Sequence, residues 1–80
     1  MYTVMPWMFD LCRNNHKLTL LYAYIFDCCQ GGQSFIVDDD SKKDIWDYCR
    51  IDTILVDGLV ADLVSLKALI PTELGYIVNI

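Results

Sequence analysis

Two stretches with helical hydrophobic spacing are separated only by Arg50-Ile51-Asp52, and a strand-forming tail follows the second. A connection this short forces the two helices to share one core, and a hairpin after them closes it. Ser41 followed by Asp44 resembles a capping box with Asp where Glu or Gln is usual, so the first helix is expected from Ser41 to about Arg50. Its inward residues are expected to be Ile45, Tyr48 and Cys49. Lys42 and Lys43 would then sit unfavourably in the first turn, offset by Asp38, Asp39 and Asp40. Asp52 or Thr53 caps the second helix, expected from Ile54 to about Ile70. There Leu59, Leu63, Leu66 and Ile70 make one apolar stripe, with Val56, Val60 and Val64 beside it. Pro71 stops the helix, and Thr72 to Gly75 turn the chain into a strand over Gly75 to Ile80.

Upstream, residues 1–17 read as a lead-in. Pro6 biases Met5 towards an extended conformation, while Trp7, Met8, Phe9 and Leu11 supply apolar bulk that could dock on the body. Asn14-Asn15 reads as a turn. Leu18 to Cys29 is a strong helix candidate, with Leu18, Leu21, Tyr22, Ile25 and Cys28 on one face and Leu20 and Tyr24 on the other. A helix apolar on two sides is central to its fold or covered by a partner. Gly31 and Gly32 provide its left-handed end, and Ser34-Phe35-Ile36-Val37 is a short β-prone run. Eighty residues hold one core and no second. The expected fold is α+β: a single winged helix-turn-helix domain over 1–80, with about three helices and a small antiparallel sheet or wing in 18–80.

The stretch Leu20-Leu21-Tyr22-Ala23-Tyr24-Ile25, the helix pair Lys43 to Cys49 and Val56 to Leu69, and the ending Lys67-Ala68-Leu69-Ile70…Gly75-Tyr76-Ile77-Val78-Asn79 carry a resemblance over residues 18–80. Together they resemble winged helix-turn-helix domains, in particular the N-terminal domain of phage and plasmid replication initiators, the replisome organisers. That resemblance implies a DNA-binding default and a phage or mobile-element origin. It departs from the family pattern at its end, where those initiators continue into a C-terminal region that recruits replication machinery.

Charge argues against the default. Six Lys and Arg face eleven Asp and Glu, a formal net charge of −5, whereas phosphate neutralisation supplies most nucleic-acid affinity. The second helix of the pair is where bases would be read, yet its outward face is expected to carry Thr53, Asp57, Gly58, Ala61, Asp62 and Ser65. None of the Arg, Lys, Asn or Gln side chains that read base edges is among them. The face reads as a surface for a protein partner, or as an ordinary solvated helix face. Lys42, Lys43 and Arg50 bracket the first helix of the pair and are the candidate phosphate contacts, against a solvated mixed-charge face as the plainer reading. Trp7, Tyr24 and Trp46 exceed what the simplest core needs and are candidate partner anchors, unless the N-terminal segment folds back over them.

Little points to chemistry. The chain has one His, no phosphate-binding Gly-rich loop and no assembled Ser/His/Asp set, so no enzyme and no cofactor are expected. Cys12 and His16 lie four apart, but paired zinc-ligand spacing is missing; Cys12, Cys28, Cys29 and Cys49 are expected as reduced, buried thiols and no metal is assigned. Asp38-Asp39-Asp40 lacks the Gly and distal Glu of a calcium loop. The N-terminus lacks the positive region of a signal peptide, and the apolar run Leu18 to Cys29 is too short for a bilayer, so a cytoplasmic setting is expected. The functional expectation is a small non-catalytic adaptor or inhibitor of a nucleic-acid-handling complex. The alternatives are a homodimeric DNA-binding replication or transcription regulator, and an obligate homo-oligomer.

Overall fold

The structure is a computed structural model that describes residues 3–79. Met1 and Tyr2 of the expected lead-in, and Ile80 of the expected last strand, lie outside the described residues. The architecture is α+β, in the order α1 (Pro6–Leu11), α2 (His16–Cys28), α3 (Asp39–Cys49), α4 (Thr53–Ser65), β1 (Leu69–Pro71) and β2 (Tyr76–Val78).

The lead-in is the first correction, for it forms a fourth helix. Met5 is extended, as the residue before a proline should be, and Pro6 then occupies the first helical position, where its missing N–H costs nothing. After α1 the chain reverses through Arg13 and Asn14, both left-handed with φ of 56° and 59°. The Asn14 N–H donates to the Phe9 carbonyl at 2.7 Å. Asn15 caps α2, its side-chain oxygen accepting from the Leu18 N–H at 3.1 Å, so α2 opens at His16 rather than Leu18. Met8 and Cys12 are fully buried, which makes this segment part of the core.

Helix α2 is the centre of the molecule. Leu18, Leu21, Tyr22, Ala23 and Ile25 are buried, and α1, α3 and α4 all pack against it. Three neighbours explain why it is apolar on more than one side. Thr19 is the one buried polar residue among the described residues, and its hydroxyl donates to the Asn15 carbonyl at 2.7 Å, so it is not stranded. The helix ends at Cys28, and its cap Cys29 is not left-handed (φ −89°); the left-handed Gly31 and Gly32 (φ 80° and 81°) come two residues later and turn the following loop.

Helix α3 begins earlier than expected. Its cap is Asp38, not Ser41: the Ser41 N–H donates to Asp38 Oδ1 at 2.8 Å and the Asp38 N–H donates to Ser41 Oγ at 2.9 Å. The reciprocal box therefore sits three residues upstream of the expected one. Asp39 and Asp40 thus hold the first turn, favourably placed against the helix dipole, and Lys42 and Lys43 follow them. Ile45 and Cys49 point inward as expected, but Tyr48 does not: it is 60% exposed and stacks on Tyr24, with ring centroids 5.8 Å apart. An i, i+4 pair already fills the narrow buried stripe of an 11-residue helix.

Helix α4 is shorter than its apolar spacing suggests. Asp52 caps it, accepting from the Ile54 N–H at 3.3 Å, but it ends at Ser65. Lys67 is left-handed (φ 61°), and the Ala68 N–H closes back on the Leu63 carbonyl at 2.9 Å. The chain beyond is strand: Leu69 pairs with Val78, Ile70 with Ile77 and Pro71 with Tyr76. Ile70 therefore leaves the expected helical stripe, and Pro71 ends β1 rather than stopping a helix. The buried stripe is Val56, Val60 and Leu63, while Leu59, Val64 and Leu66 are half-buried beside it. The Ser34–Val37 run contributes a single bridge. The Phe35 N–H donates to the Tyr76 carbonyl at 2.7 Å and the Tyr76 N–H donates back at 2.8 Å, adding Phe35 to the outer side of β2.

Candidate functional site

The outward face of α4 carries every residue expected on it: Thr53, Asp57, Gly58, Ala61, Asp62 and Ser65 are all exposed. Two residues were missing from that expectation. Ile54 is 79% exposed and Leu55 is 41% exposed. Orienting the helix by Leu59, Leu63 and Leu66 hides Leu55, which the true inward stripe of Val56, Val60 and Leu63 turns to solvent, whereas Ile54 faces outward on either stripe. The face is consequently apolar at its N-terminal end, small in the middle at Gly58 and Ala61, and acidic at Asp57 and Asp62.

A groove between α3 and α4 runs beside it, lined by Asp39, Lys42, Lys43, Trp46, Thr53, Ile54 and Asp57. It brings residues read as phosphate contacts together with residues read as partner contacts. Lys42 Nζ lies 3.0 Å from Asp57 Oδ2, the one ion pair among the described residues. The Arg50 guanidinium lies 5.4 Å from the centre of the Trp46 ring. Of the three candidate cations, then, Lys42 already has a carboxylate and Arg50 an aromatic face, which leaves Lys43 exposed. The ion pair is worth under about 1 kcal/mol, since Asp57 is largely solvated.

The aromatic anchors divide. Trp46 lines the groove and is 44% exposed. Trp7 is as exposed, but its ring packs edge-on against Tyr22 and Phe26 at 6.0 and 5.7 Å, so α1 folds back onto α2 within the chain. Tyr24 is half-buried between Phe35 and Tyr48 and does not line the groove. Trp46 alone of the three joins the α4 surface.

The thiols sit in apolar surroundings. Burial pushes the Cys12, Cys28 and Cys29 thiols above their ordinary 9.0, and burial also raises the Tyr22 and Tyr24 phenols above 10.0. A raised folded-state value means that the native protein keeps a proton the unfolded chain releases. Its contribution to stability is complete below the ordinary thiol value and is lost as pH rises above it. The melting temperature should therefore be level between about pH 6 and pH 8 and fall above about pH 9. A melting temperature that stays level to about pH 10.5 contradicts this placement of the thiols. Among the described residues no group of three or more His, Cys, Asp or Glu side chains converges as a metal site would require, and no helix is long and apolar enough to cross a membrane.

Comparison with protein-family models, with curated proteins and with solved structures yields no match for this chain.

Proposed function

We propose that the chain is a non-catalytic winged-helix module that binds a protein through the outward face of α4, acting as an adaptor or inhibitor. The fold part of this reading is supported by the order of elements: α3 and α4 joined by a tight connection, then a hairpin to which Phe35 adds a bridge. In that reading α2, α3 and α4 are the three helices of the motif, α1 is an addition, and β1–β2 is the wing. The resemblance to replication initiators favours a nucleic-acid-handling complex as the target, in a phage or other mobile element.

One observation carries the function. The helix that would read bases exposes Ile54, Leu55, Gly58 and Ala61 beside Asp57 and Asp62. A solvated Ile54 gains nothing from a wet, anionic groove, and two carboxylates are repelled by it. The same residues suit a protein surface that offers an apolar pocket and flanking cations. Asp57→Lys with Asp62→Lys should leave the fold unchanged, because both side chains are exposed, and should abolish capture of the partner from nuclease-treated lysate of the source cell. Capture undiminished by both changes removes this face from the account.

The second reading, a DNA-binding regulator, rests on the three cations Lys42, Lys43 and Arg50 around Trp46. It requires duplex DNA binding that collapses with added salt and weakens on Lys42→Ala plus Lys43→Ala. Fluorescence anisotropy on a labelled duplex separates the two readings, and the protein-binding one expects no saturable signal even at low salt.

A further inference from the structure

Helix α4 borders a second groove on the flank away from α3. There Leu55, Leu59, Asp62 and Leu66 recur at intervals of four, three and four residues and form one seam. The opposite wall is the corner where α1 gives way to α2. One half of the groove is lined by Lys17, Leu55 and Leu59 and the other by Arg13, Leu18 and Leu66, while Asn15 and Asp62 line both, so the groove is continuous. From Ile54 to Leu66 it follows α4 for about 18 Å. Charge is sorted by wall. Residues 11–26 contain no carboxylate, and Arg13, Lys17 and the positive end of the 13-residue α2 all stand on the corner side. Asp62 stands on the α4 side, in the middle of an otherwise apolar seam. No ion pair spans the gap, for the one among the described residues is Lys42–Asp57.

We propose that this groove receives an amphipathic helix of a protein partner, about three turns long. Its apolar side chains fill the two ends of the seam, a Lys or Arg between them meets Asp62, and carboxylates lie along its edge towards Arg13 and Lys17. That occupant presupposes the protein-binding α4 surface proposed above and narrows it to the Asp62 flank; Asp57, on the other flank, already holds Lys42. A helix is favoured over an extended segment because the walls offer no strand edge. The N–H groups of Arg13, Asn14, Asn15 and Leu18 all donate within the chain, and α4 spends its own along its axis. The charges then select among helices. A purely acidic one sets carboxylates against Asp62, and a purely basic one meets Arg13 and Lys17, so a helix carrying both signs on opposite sides of an apolar seam fits best. Asp62 also fixes the register, since a slip of one turn leaves it facing apolar side chains.

The probe is a stapled helical peptide of about four turns, with Leu at both ends of one seam, Lys between them and Glu along one edge. A second peptide carries Lys in place of Glu. Each is titrated into the isotope-labelled full chain at physiological ionic strength, which screens the general pull of an acidic chain on a basic peptide. Amide shifts should cluster over Leu55–Leu66 and Asn15–Leu18, and the first peptide should bind about tenfold or more tightly than the second. Arg13→Glu plus Lys17→Glu, both at exposed positions, should invert that preference. Asp62→Lys should weaken both peptides about tenfold, and Asp57→Lys should leave them unchanged, with circular dichroism confirming that each variant is folded. A parent that binds neither peptide saturably overturns the proposal. So does equal affinity for the two, or shifts centred on Trp46. Groove shifts that appear when the parent alone is concentrated place a second copy there and equally overturn it. Cellular capture that is lost on Asp57→Lys plus Asp62→Lys but survives Arg13→Glu plus Lys17→Glu overturns the groove alone and leaves the α4 face standing.

Discussion

Met8→Ala is expected to lower the unfolding free energy by about 2–5 kcal/mol, a large share of the roughly 4–12 kcal/mol that a domain of this length holds. Met8 is fully buried and lies in one continuous cluster with Cys12, Leu21, Tyr22 and Ile25. Helix α1 has only six residues, too few to persist without tertiary support. Its local fastening is slight: the Met5 N–H donates to Met8 Sδ at 3.4 Å, and Pro6 presets the first turn. Docking on α2 therefore depends on Met8 and on the rings of Trp7, Tyr22 and Phe26. Truncation opens a cavity at the junction of α1 and α2 and frees the helix that covers them. Urea denaturation checks it. A loss below about 1 kcal/mol would mean that α1 is a dispensable cover and not part of the core.

Gly75→Ala is the second large effect, expected to cost about 2–3 kcal/mol and to open the hairpin's outer side. A Cβ built on Gly75 collides with the carbonyl of Phe35 and crowds Ile36 Cα. Both obstacles are backbone and cannot rotate away. Relief requires Phe35 to withdraw, which breaks the paired bonds between Phe35 and Tyr76 and uncovers the buried Phe35 ring. The turn adds to the constraint, since the Gly75 N–H donates to Thr72 Oγ1 at 3.0 Å and the Thr72 N–H donates to the Gly75 carbonyl. Amide hydrogen exchange at Phe35 and Tyr76 reads the effect directly, with protection lost there before it is lost in α2. Unchanged protection at both amides contradicts the close approach. Gly58→Ala is the control, since a Cβ there meets nothing and sits in a helix.

These two positions show where sequence reasoning stops. Helices α2 and α4 were legible because their apolar spacing repeats for about three turns, and α3 because Ile45, Trp46, Tyr48 and Cys49 follow a polar start; a side chain capable of capping precedes each. Helix α1 is too short to show a period. Pro6 before Trp7 and Met8 was the available signal, and it pointed to a helix start as much as to an extended Met5. The end of α4 was hidden because Leu66 and Ile70 continue the helical spacing across the left-handed Lys67, a residue with no propensity for that conformation. Only the pairing of Leu69 and Ile70 with Ile77 and Val78, a tertiary fact, ends the helix there. On α4 the acidic part of the candidate face was readable, as was Ile54, which faces outward on either choice of stripe, but Leu55 was not. Val56, Val60 and Leu63 compete with Leu59, Leu63 and Leu66 as the inward stripe, and packing against α2 and β1 decides between them. Nor could spacing foretell the Lys42–Asp57 pair, which joins residues 15 apart across two helices.

The central claim concerns what touches the outward face of α4 in the cell. A photo-crosslinking side chain in place of Gly58 starts from the middle of that face, between Ile54 and Asp62, where an added Cβ meets nothing. Irradiation in the source cell followed by nuclease treatment should give a discrete covalent adduct with protein, and Asp57→Lys with Asp62→Lys should remove it. An adduct with nucleic acid, or no adduct from this position, would contradict the account.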